Sequence, residues 1–218
     1  MGKYRAIIWD MDGTLLDTLS DIVESVNVAM RAYSLPEHTR ETVRDCVGNG
    51  ITRLMELTVP GGKQHPRFEE IEAFFVDHYG RNSRNQTLPY DGLLPLLQSC
   101  ADAGVRMGIV SNKGDRIVKE LAELYFPGMI GVAIGASAGV RIKPEPDTVF
   151  EAMRLLGAQK ETTVYIGDSE VDVKTARNAG LDCIAVDWGF RDQEILREAG
   201  ATIILHTPQE LAEYLAAE

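Results

Sequence analysis

The sequence predicts an α/β fold in which a mainly parallel sheet is covered by helices and is interrupted by a long helical insert. Two observations predict the sheet: short apolar runs recur along the chain, and from residue 91 onward they alternate with segments of helical periodicity. A third observation predicts the insert, because the stretch from about 18 to 85 has helical periodicity and no convincing strand.

The predicted strands are short apolar runs of the kind that is buried on both faces of a sheet. They lie at 6–9, 105–110, 129–134, 163–166, 183–186 and 202–205. The helices that follow are predicted at 91–103, 115–125, 147–156, 170–179 and 191–199. Glycine comes just after several of them, as is typical of a helix C-terminus. This alternation indicates βαβ units and therefore a Rossmann-like parallel sheet.

The insert is predicted to form a separate helical domain. Apolar residues recur on one helical face in three stretches. These stretches are 22–33, 51–58 and 68–79. The segment 59–66 is rich in proline and glycine, which predicts a loop. We therefore expect a Rossmann-like core at 1–16 and 88–218 and an all-helical cap domain at 17–87, which we call the cap segment.

The composition is that of a globular protein with an unusual charge. The chain has 218 residues, and 33 Asp and Glu against 22 Lys and Arg give a formal net charge of −11. Such a balance argues against a protein whose main task is to bind nucleic acid or an anionic membrane. No apolar run approaches a membrane span, and the three cysteines have no C-x-x-C spacing. We expect a cytoplasmic monomer or homodimer with no nucleic-acid or membrane partner.

Polar and acidic residues directly follow three of the predicted strands. They are Asp10, Asp12, Gly13 and Thr14 after the first strand, Ser111 and Asn112 after the strand at 105–110, and Asp168 with Asp172 after the strand at 163–166. Lys143 lies between the latter two strands, on a loop stiffened by prolines. Because ligands of such sheets bind beyond the carboxyl ends of the strands, we expect these side chains to meet at one rim.

The chemistry of these side chains indicates phosphoryl transfer. Acids that converge from separate strands repel one another unless a hard divalent cation lies among them, and Mg²⁺ prefers such oxygen ligands. A tight turn at Gly13 can direct backbone N–H groups towards an anion. Ser111, Asn112 and Lys143 supply donors and a positive charge suited to phosphate oxygens. Together these features predict catalysis by positioning and charge neutralisation.

Four short motifs, in this order, resemble those of the haloacid dehalogenase superfamily of phosphohydrolases. The motifs are Asp10-Met11-Asp12-Gly13-Thr14-Leu15-Leu16-Asp17, Ser111-Asn112-Lys113, Lys143-Pro144 and Gly167-Asp168-Ser169-x-x-Asp172. The resemblance covers the whole chain, and the helical insert takes the place of the superfamily's cap domain. It implies Mg²⁺-dependent hydrolysis of a small phosphorylated metabolite through an aspartyl-phosphate intermediate.

The resemblance also implies a role for each matched residue. Asp10 would be the nucleophile, and Asp12 would act first as general acid and then as general base. Mg²⁺ would be held by Asp10, the backbone carbonyl of Asp12 and Asp168, with Asp172 at or near the ion. Lys143 would neutralise the transferred group and orient Asp10. The residues implied in substrate binding are Gly13, Thr14, Ser111 and Asn112.

The substrate is predicted less sharply than the reaction. In this superfamily an aspartate at the position of Asp12 occurs in phosphatases and phosphomutases, and dehalogenases lack it. Within the insert, Val47-Gly48-Asn49-Gly50 with Leu54-Met55 looks most like phosphoglycolate phosphatases, so phosphoglycolate is the leading candidate. Three alternatives stay open here: a sugar phosphomutase, a pyrophosphatase or nucleotidase on the same fold, and a non-catalytic binding module.

Overall fold

The computed structural model describes residues 2–217 and contains the predicted parallel sheet. The strands are β1 (Ala6–Trp9), β2 (Leu16–Asp17), β3 (Leu88–Pro89), β4 (Arg106–Gly114), β5 (Val132–Ala136), β6 (Thr163–Gly167), β7 (Asp182–Val186) and β8 (Ile204–Leu205). Six of them form one sheet in the order β5-β4-β1-β6-β7-β8, and all neighbours are parallel. β2 and β3 form a separate antiparallel pair.

Helices lie on both sides of the sheet and in the insert. They are α1 (Leu19–Ala32), α2 (Arg40–Cys46), α3 (Ile51–Thr58), α4 (Phe68–Asn82), α5 (Leu93–Asp102), α6 (Asp115–Tyr125), α7 (Asp147–Leu156), α8 (Glu170–Ala179), α9 (Gln193–Glu198) and α10 (Pro208–Ala217). Within residues 2–217, no helix has the length and apolar character that crossing a membrane requires.

The sheet is buried on both faces, which explains why its strands are short continuous apolar runs. Ile7 and Trp9 of the central strand β1 join one apolar cluster with α5 and α6. Ile8 and Tyr165 join a second cluster with α7 and α8. Because successive residues of a strand point to opposite faces, both faces need apolar side chains. The predicted α/β fold with a Rossmann-like sheet is therefore confirmed.

The insert folds as four helices, α1 to α4, and the described residues 18–85 contain no strand. The apolar faces that predicted these helices pack together, with Val26, Met30, Ile71 and Phe75 all buried. Both ends of the insert are fastened by the β2–β3 pair. The limits of the cap segment at 17–87 stay a prediction, and this pair lies where that prediction places the two connections to the sheet.

Several element limits differ from the prediction. β4 continues to Gly114 instead of ending at Val110, because Gly114 pairs with Ala136 of β5 after an irregularity in the register. β5 begins at Val132 rather than at 129, and β8 is shorter than 202–205. The short elements α2, α10, β2 and β3 were not predicted. Their pairing and packing depend on partners that are distant in sequence, which local periodicity does not report.

Candidate active site

The rim at the carboxyl end of the sheet carries a small cavity between the sheet and the cap segment. Its volume is about 60 Å³. The residues predicted from the strand ends that line it are Asp10, Asp12, Ser111, Asn112, Lys143 and Asp168. These side chains therefore converge on one rim, as expected. Ser111 and Asn112, however, lie within β4 rather than after it.

Three buried carboxylates form a cluster at this rim. Asp10, Asp168 and Asp172 each offer an oxygen, and these oxygens lie within 4.8 Å of one another. Burial, together with the negative charge of Asp172, raises the pKa of Asp168 to about 7. The same two causes raise the pKa of Asp10 well above its ordinary value. A buried set of hard oxygen ligands whose charges repel one another fits a Mg²⁺ ion.

Lys143 is the cation of this cluster, and each of the three N–H donors of its ammonium group has a partner. Its Nζ lies 2.8 Å from Asp10 Oδ1 and 2.7 Å from Asp172 Oδ1. It also donates to the Tyr165 hydroxyl at 3.1 Å. Burial alone would lower the pKa of Lys143, but the charges of Asp10 and Asp172 outweigh burial and raise it. Lys143 is thus a fixed positive charge beside Asp10.

Asp172 accepts four hydrogen bonds from the protein. Its Oδ1 accepts from Lys143 and from the Tyr165 hydroxyl at 2.9 Å. Its Oδ2 accepts from the backbone N–H of Ser169 at 3.1 Å and from the Ser169 hydroxyl at 2.5 Å. Ser169 caps α8 in return, so the two residues form a capping box. Asp172, in the first turn of α8, therefore holds the ammonium group of Lys143 in place.

Asp168 is oriented by the turn that contains Gly13 and Thr14. The Thr14 hydroxyl donates to Asp168 Oδ1 at 2.8 Å, and the backbone N–H of Phe190 donates to Oδ2 at 2.8 Å. Gly13 has φ +84°, and a Cβ there would lie 2.2 Å from Asp168 Oδ2. Neither Gly13 nor Thr14 is among the described residues that line the cavity. Their role in substrate binding stays a prediction. In this structure both residues lie against Asp168.

Ser111 and Asn112 differ in what their side chains can still bind. Ser111 Oγ accepts from the backbone N–H of Lys113 at 3.3 Å, which leaves its O–H free to donate into the cavity. Asn112 donates from Nδ2 to the carbonyls of Gly48 and Lys143, at 3.0 Å each. Asn112 Oδ1 accepts from the backbone N–H of Lys143 at 2.8 Å. The Asn112 side chain therefore links the cap segment to the Lys143 loop.

A second buried lysine, Lys113, has no assigned role in the sequence analysis. Its Nζ donates to Asp12 Oδ1 at 2.7 Å and also to the hydroxyl of Tyr79 in α4. Thr18 donates to the same Asp12 oxygen at 2.7 Å. Lys113 directly follows Ser111 and Asn112, so its place at the end of a strand was a signal that could have found it. Tyr79 could not be found, since it occurs on the apolar face of a helix.

Arg191, which the sequence analysis also missed, joins the loop after β7 to the cap segment. Its Nε donates to Glu170 Oε2 at 3.0 Å, while its two terminal nitrogens donate to the carbonyls of Arg44 at 3.0 Å and Val47 at 2.6 Å. Arg191 is buried, with 7% of its surface exposed. All its nitrogens have partners, so it holds the end of α2 against the sheet.

The wall that the cap segment contributes to the cavity is uncharged. It consists of Ile22, Val47, Gly48, Gly50, Ile51, Leu54, Phe75 and Tyr79. The charged residues of the cavity come from the sheet side. Apolar side chains on one wall lower the local dielectric constant, which strengthens the electrostatic interactions at the rim.

Comparison with known proteins identifies the family. The model of the haloacid dehalogenase-like hydrolases matches residues 7–186, which include the acid cluster, both buried lysines and the whole insert. The chain belongs to the haloacid dehalogenase-like hydrolase family. The resemblance drawn from the four motifs is thereby confirmed, and so is the assignment of the chain as a hydrolase.

Relatives of this hydrolase are named for two different substrates. It is 30% identical over 216 residues to a phosphoglycolate phosphatase of Mesorhizobium japonicum, a match that covers 96% of this chain and 95% of the relative. It is 29% identical over 215 residues to the N-acetylmuramic acid 6-phosphate phosphatase of Pseudomonas aeruginosa, covering 98% and 95%. A solved structure from Lactobacillus delbrueckii subsp. bulgaricus, provisionally described as a phosphoglycolate phosphatase, superimposes with a TM-score of 0.91 at 34% identity over 99% of both chains.

Proposed function

We propose that this hydrolase is a Mg²⁺-dependent phosphatase of a small phosphorylated metabolite, with phosphoglycolate as the first candidate. The observation that carries the proposal is the buried cluster of Asp10, Asp168 and Asp172 beside Lys143, which opens into the same cavity as Asp12. The relatives named as phosphatases of small phosphorylated molecules support it. We place the enzyme in the cytoplasm, as a monomer or homodimer.

Asp10 and Asp168 are the side chains best placed to hold Mg²⁺. Asp172 already accepts four hydrogen bonds, so we propose that it acts behind the site by fixing Lys143. The backbone carbonyl of Asp12 stays the predicted third protein ligand. When bound, Mg²⁺ supplies positive charge that offsets the negative charge of the phosphoryl oxygens and of the carboxylates. Thr14 and Gly13 then serve the ion indirectly, by orienting Asp168.

In the first step Asp10 attacks phosphorus. Its Oδ1 is held by Lys143 at 2.8 Å and by the backbone N–H of Met11 at 2.6 Å, which leaves Oδ2 as the attacking oxygen. The new bond joins Asp10 to phosphorus, and the ester P–O bond breaks. Asp12 gives its proton to the leaving oxygen, so that an alcohol departs and an aspartyl-phosphate remains. The free hydroxyl of Ser111 can donate to an oxygen of the transferred group.

In the second step water releases the phosphate. Asp12, now ionised, takes a proton from water as the water oxygen attacks phosphorus. The bond between Asp10 and phosphorus breaks, inorganic phosphate leaves, and both aspartates return to their starting states. Thr18 and Lys113 hold one oxygen of Asp12, each at 2.7 Å, so the other oxygen is positioned to face the leaving group and then the water.

The size of the cavity favours a small leaving group. Its volume of about 60 Å³ corresponds to roughly five water molecules. A phosphoryl group with a two-carbon leaving group suits this space better than an amino sugar that carries a lactyl ether. We therefore rank phosphoglycolate above N-acetylmuramic acid 6-phosphate.

The test is phosphate release from a panel of small phosphate monoesters, with Mg²⁺ and with EDTA. We expect turnover only with Mg²⁺, and Asp10→Asn should lower it at least ~10³-fold because the nucleophile is lost. Asp102→Asn, which changes an exposed aspartate of α5, is the matched control and should leave the rate unchanged. An Asp10→Asn enzyme within tenfold of wild type would contradict the proposal. Formation of an isomeric sugar phosphate without free phosphate would indicate a mutase instead.

A further inference from the structure

We propose that Lys113 and Tyr79 together recognise a carboxylate of the substrate, attached to the carbon that bears the ester oxygen. The two residues would then determine specificity for phosphorylated 2-hydroxy acids over uncharged phosphate esters. The inference rests on the proposed phosphatase function, and it names the substrate class of the same site.

The first step of the argument is the number of donors on Lys113. An ammonium group has three N–H donors. The described residues provide two hydrogen-bond partners for the Lys113 ammonium, namely Asp12 at 2.7 Å and the Tyr79 hydroxyl. Lys113 is nonetheless buried, with 3% of its side chain exposed, and it lines the cavity. The third donor is thus free to meet a ligand in that cavity.

The second step is that Lys143, the other lysine of the cavity, already has a partner for each of its donors. Lys143 contacts Asp10, Asp172 and Tyr165, which accounts for its three donors. Arg191 uses three of its five N–H donors to bind Glu170 and the backbone carbonyls of Arg44 and Val47. As far as residues 2–217 define the cavity, Lys113 is its one lysine with a donor to spare.

The third step concerns the proton of Tyr79. Its hydroxyl accepts from Lys113, and in the described part of the chain its own O–H has no acceptor. Tyr79 is buried, with 2% of its surface exposed, and it lines the cavity from the cap side. A lysine N–H from the sheet and a tyrosine O–H from α4 are therefore two neighbouring donors. Two oxygens of one carboxylate are the acceptors that best match such a pair.

The fourth step is where that carboxylate would lie. Lys113 is bonded to one oxygen of Asp12, while the other oxygen of Asp12 is the one proposed to protonate the leaving group. A group that accepts from Lys113 therefore lies next to the ester oxygen, as a carboxylate on the adjoining carbon does. The rest of the cap wall is apolar and offers no competing charge.

The experiment compares 2-phosphoglycolate with ethyl phosphate, in which a methyl group replaces the carboxylate. We expect Lys113→Met to lower the ratio of the two kcat/KM values by roughly ten- to hundredfold, as for the loss of a hydrogen bond to a charged group. The carboxylate-specific part of the loss should appear in KM, because the contact is present before and during the reaction. Any misplacement of Asp12 affects both substrates, so the ratio cancels it.

Two further variants and one control keep the test independent of folding defects. Tyr79→Phe keeps the ring and removes the hydroxyl, and we expect it to lower the same ratio by roughly threefold to tenfold. Lys113→Arg keeps the charge and should retain part of the preference. Lys119→Met, an exposed lysine of α6 whose side chain is 60% exposed, should leave the ratio unchanged.

Binding supplies a readout that does not depend on turnover. By calorimetry in Mg²⁺, wild type should bind 3-phosphonopropionate at least about tenfold more tightly than propylphosphonate, and Lys113→Met should abolish the difference. Equal losses on both substrates in Lys113→Met, with equal binding of both phosphonates by wild type, would overturn the inference and leave Lys113 as a partner of Asp12 alone. If neither substrate released phosphate, the proposed function would fail, and the phosphonate comparison would still decide the role of Lys113.

Discussion

The two buried lysines of the site provide a comparison within one cavity. Lys143 is held entirely by residues of the sheet side, with Asp10, Asp172 and Tyr165 around its ammonium group. Lys113 is shared between Asp12 and Tyr79 of the cap segment. For both lysines burial alone would lower the pKa, and neighbouring carboxylates outweigh burial and raise it.

The difference between these lysines lies in how many partners each has and which part of the chain supplies them. A lysine whose donors are all used is a fixed charge, and it can orient a nucleophile without moving. A lysine that contacts two parts of the fold and keeps one N–H donor free can bind a ligand that enters between them. We therefore propose that the same residue type orients the nucleophile at Lys143 and selects the substrate at Lys113.

The sharpest way to test this comparison is to remove Lys143. Lys143→Met leaves Asp10 and Asp172 buried without their counter-charge, so we expect the free energy of unfolding to fall by about 3–5 kcal/mol and hydrolysis to be lost. Urea denaturation at pH 7 without Mg²⁺ measures the stability change. The control is Lys119→Met, which removes an exposed lysine. A fall in the free energy of unfolding of less than about 1 kcal/mol would mean that Lys143 does not offset the negative charge of the acid cluster.

A smaller effect is expected at the second lysine. Lys113→Met removes one partner of Asp12, but Thr18 still donates to that carboxylate and 14% of its side chain is exposed to water. We therefore expect a loss of about 1–3 kcal/mol in the same denaturation experiment. Equal losses for the two lysines would show that the number of partners does not set their contribution to stability.

The third test is the response of stability to pH and Mg²⁺. Asp168 has a pKa of about 7 in the folded chain against an ordinary value of 3.8, and the pKa of Asp10 is raised in the same direction. Between these values the folded chain binds more protons than the unfolded chain. Without metal, these groups therefore lower the free energy of unfolding as the pH rises from about 4 to about 7.

Mg²⁺ should remove this dependence, because it favours the ionised carboxylates. The measurement is the melting temperature at pH 5.5 and at pH 7.5, each with Mg²⁺ and with EDTA. We expect the gain from Mg²⁺ to be larger at pH 7.5. A gain that is the same at both pH values would argue against the acid cluster as the metal site.

Much of the site could be predicted because its residues follow buried strands. Asp10, Ser111 and Asp168 occur at the ends of apolar runs, and a parallel sheet brings such ends to one rim. What their side chains contact could not be predicted in the same way. The binding of phosphate by Asn112 stays a prediction, and in this structure its side chain joins Gly48 to Lys143. Thr14 contacts Asp168.

The sequence by itself determined the fold class, the rim and the family, because strand and helix periodicity and the four motifs are local patterns. Only the tertiary structure decided which charges are paired, since Tyr79 and Lys113 are 34 residues apart and Thr14 and Asp168 are 154 apart. Pairing of that kind depends on distances across the fold and on burial, which makes an unpaired charge costly. It is this pairing that distinguishes Lys143, whose three donors all have partners, from Lys113, which has two partners.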